Sequence, residues 1–172
     1  MERRIFLILS IFFLLGCNDS KTAGETVINS QFQNDVQQLK KLVDQFSILA
    51  DKKDVEGQLK LFSNNAVVES YRDGKLSSRL KGKTEIGEAF TNFLSLFETV
   101  YHLNGQQTTE INGNRAIGIS YCLVVLISQN DEGKVKTTFG VSYDDEYVKE
   151  DGKWYIKRRK SHFNWETREL ID

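Results

Sequence analysis

Apolar positions between residues 35 and 52 fall three and four apart: Val36, Leu39, Leu42, Val43, Phe46, Leu49 and Ala50. That spacing lays a single apolar stripe along a helix. Asn34, with Gln37 three residues on, supplies a capping pair at its start. A short second helix follows, with Asp54 as its N-cap, Leu59 and Phe62 facing inward, and Asn64-Asn65 ending it. A third helix is predicted over about 84–98. It is capped by Thr84 and striped by Ile86, Phe90, Phe93, Leu94 and Phe97.

Elsewhere the apolar period drops to two. Val67–Arg72 and Leu76–Leu80 flank Asp73-Gly74, which is a hairpin signal. Four long strands are predicted between Val100 and Trp165, with turns at Asn112-Gly113-Asn114, at Asn130–Gly133 and at Asp151-Gly152. The expected class is α+β: an antiparallel sheet with three helices packed on one face. The segment 116–127 alternates Ile117, Ile119, Tyr121, Leu123, Val125 and Ile127 with Ala116, Gly118, Ser120, Cys122, Val124 and Leu126. Both sets are largely apolar, so both faces should be covered. The helices can cover one. The other is expected to meet a second subunit as a homodimer, unless the smaller set faces a crowded interior.

Composition changes this picture little. With 23 basic and 24 acidic residues among 172, nothing favours a nucleic-acid polyanion as partner. The chain has no proline, which excludes a Pro-rich stalk or a polyproline ligand motif. Residues 34–172 read as one domain, without internal repeat or linker.

The amino terminus carries an address. Arg3 and Arg4 precede residues 5–15, which are apolar apart from Ser10. A spanning helix needs about 20 such residues, so this stretch has the layout of a signal peptide instead. Leu14-Leu15-Gly16-Cys17 resembles the lipobox of bacterial lipoproteins. That resemblance implies removal of 1–16 and lipidation of Cys17. The chain would then be held at a membrane in the bacterial cell envelope by its acyl chains, without spanning it. Asn18 after the cysteine favours the periplasmic face of the outer membrane in a Gram-negative host. Residues 17–33 read as the lipidated Cys and a flexible tether, able to reach about 55 Å if fully extended. Cys122 is then the remaining thiol, and no disulfide is available within the chain.

Several short motifs stand in a telling order. Phe46–Leu61 holds Asp51 at a turn, followed by Asp54 in D-x-x-x-x-L. Leu80–Ile86 places Gly82 before the third helix. His102 is followed by a strand and then Gly113-Asn114-Arg115-Ala116. Tyr143–Tyr147 leads to Asp151-Gly152-Lys153-Trp154-Tyr155-Ile156. Together, over about 36–168, they resemble the SnoaL-like branch of the nuclear transport factor 2-like superfamily. The resemblance implies a cone-shaped curved antiparallel sheet closed by three N-terminal helices, with a pocket inside. Within that superfamily the chain is similar to scytalone dehydratase at Asp51, His102, Tyr71 and Trp165. It departs from it where Leu126 stands near the second pocket histidine and Tyr143 stands in place of an asparagine.

Asp51 and His102 are the one carboxylate–imidazole pair expected to meet. An aspartate accepting one ring N–H would fix the tautomer and leave the other nitrogen as a base for proton abstraction or water elimination. The structural alternative is an Asp51 that caps its turn and a His102 half-buried in a strand. Tyr143 is the third catalytic candidate. Tyr143, Asp145 and Tyr147 share a face with Val135, Phe139 and Val141. A carboxylate there is costly unless paired, so Asp145 either lines the pocket mouth or meets Arg158 or Arg159. Tyr71, Phe139 and Trp165 are further pocket-wall candidates. Arg158-Arg159-Lys160 reads as a solvated rim, and Cys122 as core.

No phosphate-loop, dinucleotide or zinc-protease motif is present, so neither a metal nor a cofactor is expected. Three functions follow in order: a membrane-tethered module binding a small, largely apolar molecule; a cofactor-independent lyase or isomerase using the His–Asp pair; and a dimeric assembly module without catalysis.

Overall fold

The structure, a computed structural model, describes residues 19–171, with side chains from residue 29 onward. The signal-peptide and lipidation readings at 1–16 and Cys17 lie outside the described residues. The elements run α1 (Asp19–Asp51), α2 (Val55–Leu59), β1 (Phe62–Arg72), β2 (Lys75–Lys81), α3 (Gly82–Leu94), β3 (Thr99–Asn112), β4 (Arg115–Asn130), β5 (Gly133–Glu150) and β6 (Lys153–Ile171). The predicted α+β architecture is the one observed. The six strands lie in the order β2-β1-β6-β5-β4-β3. All neighbours are antiparallel except β1 and β6, which run parallel.

The packed half of α1 follows the predicted stripe: Leu39, Leu42, Val43, Phe46 and Ala50 are buried. Its start does not. Asn34 lies inside the helix rather than capping it, and residues 19–33 are helical where the sequence suggests a tether. The stretch has no proline, and once the packed half is formed each further residue propagates the helix without a new nucleus. Asp35 pins the helix to the body, accepting from Trp154 Nε1 at 2.9 Å and Lys149 Nζ at 2.7 Å.

The end of α1 is fixed more firmly, which matters because Asp51 is its last residue. Lys53 adopts the left-handed conformation (φ 55°), and the backbone N–H of Asp54 returns to Leu49 O at 2.8 Å. Asp54 then caps α2 as expected, its Oδ1 accepting from Gly57 N at 2.8 Å. A Cβ on Gly57 would sit 2.9 Å from Leu49 Cδ2, so the α1–α2 corner closes on that glycine. At α3 the predicted cap shifts. Lys81, not Thr84, is the N-cap residue, and Glu85 Oε2 reaches back to accept its backbone N–H at 2.8 Å.

The helices pack into the concave face of the curved sheet. The smaller β4 set, including Ala116, Cys122, Val124 and Leu126, is buried beneath them. The larger set faces out: Ile117, Ile119 and Tyr121 are exposed, beside Tyr101 and Leu103 of β3. Two buried clusters result. One gathers α1 with Phe62, Trp154 and Ile156; the other gathers Leu94, Cys122, Leu126, Phe139 and Tyr143.

Candidate functional site: a histidine–aspartate pair and a buried arginine in one cavity

Between the two clusters the sheet and helices enclose a cavity of about 310 Å³, a size suited to a small ligand. Its walls are mostly apolar, with Phe46, Phe90, Leu94, Leu126 and Phe139 prominent. His102, Tyr143 and Arg159 bring polar groups to it.

Asp51 and His102 meet at the cavity edge, with Nδ1 of the ring 2.7 Å from Asp51 Oδ1. The His102 side chain is 8% exposed and Asp51 26%. A carboxylate only accepts, so Nδ1 carries a hydrogen, and in the neutral ring Nε2 then presents a lone pair. Nε2 has no protein partner among the described residues. A second contact aligns the same two elements. Ser47 Oγ donates to Asn104 Oδ1 at 2.9 Å, and Asn104 Nδ2 donates to Asp44 Oδ1 at 3.0 Å. Four helix residues rise about 6 Å and two strand residues about 6.7 Å. Ser47 and Asp51 on α1 therefore match Asn104 and His102 on β3, and the helix is indexed against the strand at two points.

Arg159 is the polar centre of the opposite wall. It is 1% exposed. Its Nε and Nη2 donate to Asp145 at 2.8 and 2.6 Å, and Tyr147 donates its hydroxyl to the same carboxylate at 2.9 Å. The guanidinium lies against the rings of Phe46 and Tyr143, 4.2 and 4.3 Å from their centroids, in the corner that these two edge-to-face rings make. Its third nitrogen, Nη1, is buried without a partner. Burial alone would weaken the Arg159 charge, but the Asp145 carboxylate overcomes it and raises the arginine above its ordinary range. Burial raises the Tyr143 hydroxyl well above the usual tyrosine range, so it stays protonated and lies against the Cys122 thiol. Burial also pushes the Cys122 thiol up to about 12, with the charges of Arg159 and Asp51 acting on it in opposite directions.

The structure thus brings His102, Tyr143 and Phe139 to one cavity, with Asp51 behind His102 rather than in the wall. Asp145 stands behind Arg159 rather than in the wall, on the paired alternative. Two aromatic residues fall outside. Tyr71 projects from the outer face and stacks on His162 with ring centroids 4.9 Å apart, while Val68, Ser70 and Arg72 of the same strand face in. Trp165 is 50% exposed. The register between β5 and β6 shifts between Gly140 and Val141, so Asn164 is an extra residue that turns Trp165 outward over Gly140. Arg159 sits in the cavity wall for the same kind of reason. Trp154 and Ile156 face in, the register shifts again beside Lys157, and the inward parity passes to Arg159, Ser161 and Phe163. Among the described residues no group of three His, Cys, Asp or Glu side chains gathers as a metal site.

The sequence pattern of the SnoaL-like domain matches residues 32–160. The chain belongs to the SnoaL-like domain family. No curated protein sequence matches the chain. Solved structures do. A candidate scytalone dehydratase from Novosphingobium aromaticivorans superposes with a TM-score of 0.73 at 18% identity, over 84% of this chain and 93% of that one. The hexachlorocyclohexane dehydrochlorinase LinA-type3 from Novosphingobium barchaimii gives 0.69 at 17% identity, over 82% and 94%. A protein of unknown function with a cystatin-like fold from Nostoc punctiforme gives 0.62 at 25% identity, over 76% and 91%. These likenesses show the fold of the SnoaL-like domain; its chemistry rests on its own side chains.

Proposed function

We propose that this SnoaL-like domain is a cofactor-independent lyase or isomerase acting on a small, largely apolar molecule, with His102 as its general base. The observation that supports the reading is the 2.7 Å contact between His102 Nδ1 and Asp51 Oδ1 at the edge of a mostly apolar cavity. Asp51 holds the ring so that Nε2 is the free base, and its charge stabilises the imidazolium that forms when Nε2 takes a proton. The electron pair left on the substrate carbon then either expels a leaving group from the neighbouring carbon or is protonated elsewhere. Tyr143 remains neutral throughout and orients rather than removes protons. A dehydratase and a dehydrochlorinase among the structural neighbours are both named for elimination, which agrees with this reading. A simple binding module accounts for the cavity but not for an oriented imidazole in its wall.

The test is proton exchange. In D2O, a panel of small cyclic carbon acids bearing β-hydroxyl, β-halide or carbonyl groups is followed by NMR. Exchange or elimination should occur with the native chain and fall about 10²–10⁴-fold in His102→Ala and Asp51→Asn. Equal rates in the native chain and both variants would remove the reading.

We further infer that lipid on Cys17 holds the domain at the envelope membrane, and that two chains pair through the outer face of the sheet. The cluster of exposed Tyr101, Leu103, Ile117, Ile119 and Tyr121 supports the pairing.

A further inference from the structure

Helix α1 runs along the sheet with a fixed direction. Asp35 is held by Trp154 and Lys149, which flank the β5–β6 turn. The backbone N–H of Lys149 donates to Asn114 O in the β3–β4 turn, so these two turns share one pole of the domain. Asp51, the last residue of α1, meets His102 near the start of β3, at the other end of the sheet. The packed half of α1 therefore points from the pole of the two turns toward the opposite pole.

The cavity opens toward that opposite pole. Of the residues that line it, the exposed ones are Arg72 at the end of β1, Ser77 and Ser78 in β2, and Phe93 in the last turn of α3. Arg72 lies opposite Phe163, ten residues beyond the start of β6 at Lys153. At about 3.3 Å per residue, the mouth stands roughly 33 Å along that strand from the turns.

Before Asp35 the helix continues in the other direction. It is helical from Asp19, and residues 29–34 are exposed. Residues 19–34 carry the axis about 24 Å past the pole of the turns. The amino terminus is thus led away from the cavity mouth along a rod, where a loose tether would let the domain tumble against whatever holds it.

We propose that the chain stands on its membrane pole-first, with the β3–β4 and β5–β6 turns toward the lipid and the cavity mouth facing away from it. The mouth is then on the order of 50 Å from the headgroups. The cavity fills from the aqueous side, and a molecule dissolved in the anchoring bilayer reaches it only after leaving that bilayer. The orientation rests on the Cys17 anchor reading above; the direction of the rod does not.

Two labelling measurements on the full chain test this. Cys122 is buried and its thiol is pushed up to about 12, so introduced surface cysteines label selectively. In detergent, the Cys17→Ser chain is spin-labelled at Lys21→Cys and Asn114→Cys and measured by double electron–electron resonance. Lys21 lies about 21 Å up the rod from Asp35, so one narrow distance of about 20–30 Å is expected. Glu25→Pro should broaden it by breaking the helix. A broad distribution without that substitution would overturn the rod.

Next, the lipidated chain is bound to phosphatidylethanolamine–phosphatidylglycerol vesicles carrying an acceptor-labelled lipid. A fluorescent donor is placed at Asn114→Cys or at Asp131→Cys, which lie in exposed turns at the two ends of β4. The donor at 131 should stand farther from the lipid by tens of ångströms, up to the roughly 50 Å length of β4, and Glu25→Pro should erase the difference. Equal heights, a nearer donor at 131, or a difference that survives Glu25→Pro would each overturn the proposal. Vesicle binding that survives Cys17→Ser defeats the lipid reading alone, because the heights still report the orientation. A chain that binds no vesicle defeats both. Binding that is lost in Cys17→Ser, with equal heights in the native chain, defeats the orientation alone.

Discussion

Replacing Asp145 by alanine strands three buried donors at once: Arg159 Nε, Arg159 Nη2 and the Tyr147 hydroxyl. Both charged side chains are 1% exposed or less, so water cannot step in without opening the core. Breaking such a pair by removing one partner costs about 3–5 kcal/mol, because the remaining charge stays buried. With a urea slope of about 2 kcal/mol per molar, the unfolding midpoint should fall by roughly 1.5–2.5 M. The double variant Asp145→Ala, Arg159→Met removes both charges and lets methionine pack against Phe46 and Tyr143. It should recover most of the loss, since a buried ion pair often contributes little over an apolar pair of similar volume. Urea unfolding followed by circular dichroism, run on both single variants and the double, measures this directly. A loss below about 1 kcal/mol in Asp145→Ala, or additive losses in the double, would refute the argument that Arg159 is held by its partner rather than by general packing.

Two further predictions follow from other parts of the fold. Burial opposes ionisation of Asp35, but hydrogen bonds from Lys149, Trp154 and Gln31 outweigh it and hold its carboxyl below the ordinary value of 3.8. The unfolded chain therefore binds a proton there that the folded chain refuses, and the stabilisation present above pH 3.8 fades as pH falls through the lowered value. In urea melts between about pH 6 and pH 2, the stability gap between the native chain and Asp35→Asn should narrow on the acid side; a constant gap would contradict it. Ile119 is 44% exposed in the middle of the outer apolar face. Ile119→Lys should convert a dimer to a monomer in sedimentation at micromolar concentration with no change in unfolding of the isolated domain, and a native chain that is already monomeric would remove the pairing.

Much of the architecture is legible in the apolar spacing, because helix stripes and strand alternation are direct consequences of backbone period. Asp51 and His102 are legible only through a resemblance of motif order; no spacing rule says that residues 51 apart will touch. Arg159 is hidden for a specific reason. Two extra residues in β6, at Lys157 and Asn164, reverse which side chains face in, and alternation read through a bulge gives the wrong face. The same reversal places Trp165 outside. Tyr71 fails differently: the inward positions of its strand belong to Ser70 and Arg72, and the register of its hairpin shifts between Ser70 and Tyr71. The helical stretch before Asn34 is polar and carries no stripe, so nothing in its pattern separates a continued helix from a tether.

The single parallel pairing has a consequence for how the molecule comes into being. β1 docks beside β6, with Val67 opposite Arg158 and Arg72 opposite Phe163. Nearly the whole polypeptide must therefore be synthesised before β1 finds its second strand neighbour. Until then the hollow has no wall on that side and Phe46 has no cation to rest on. Folding of such a chain is expected to be slow and to finish in one late closure.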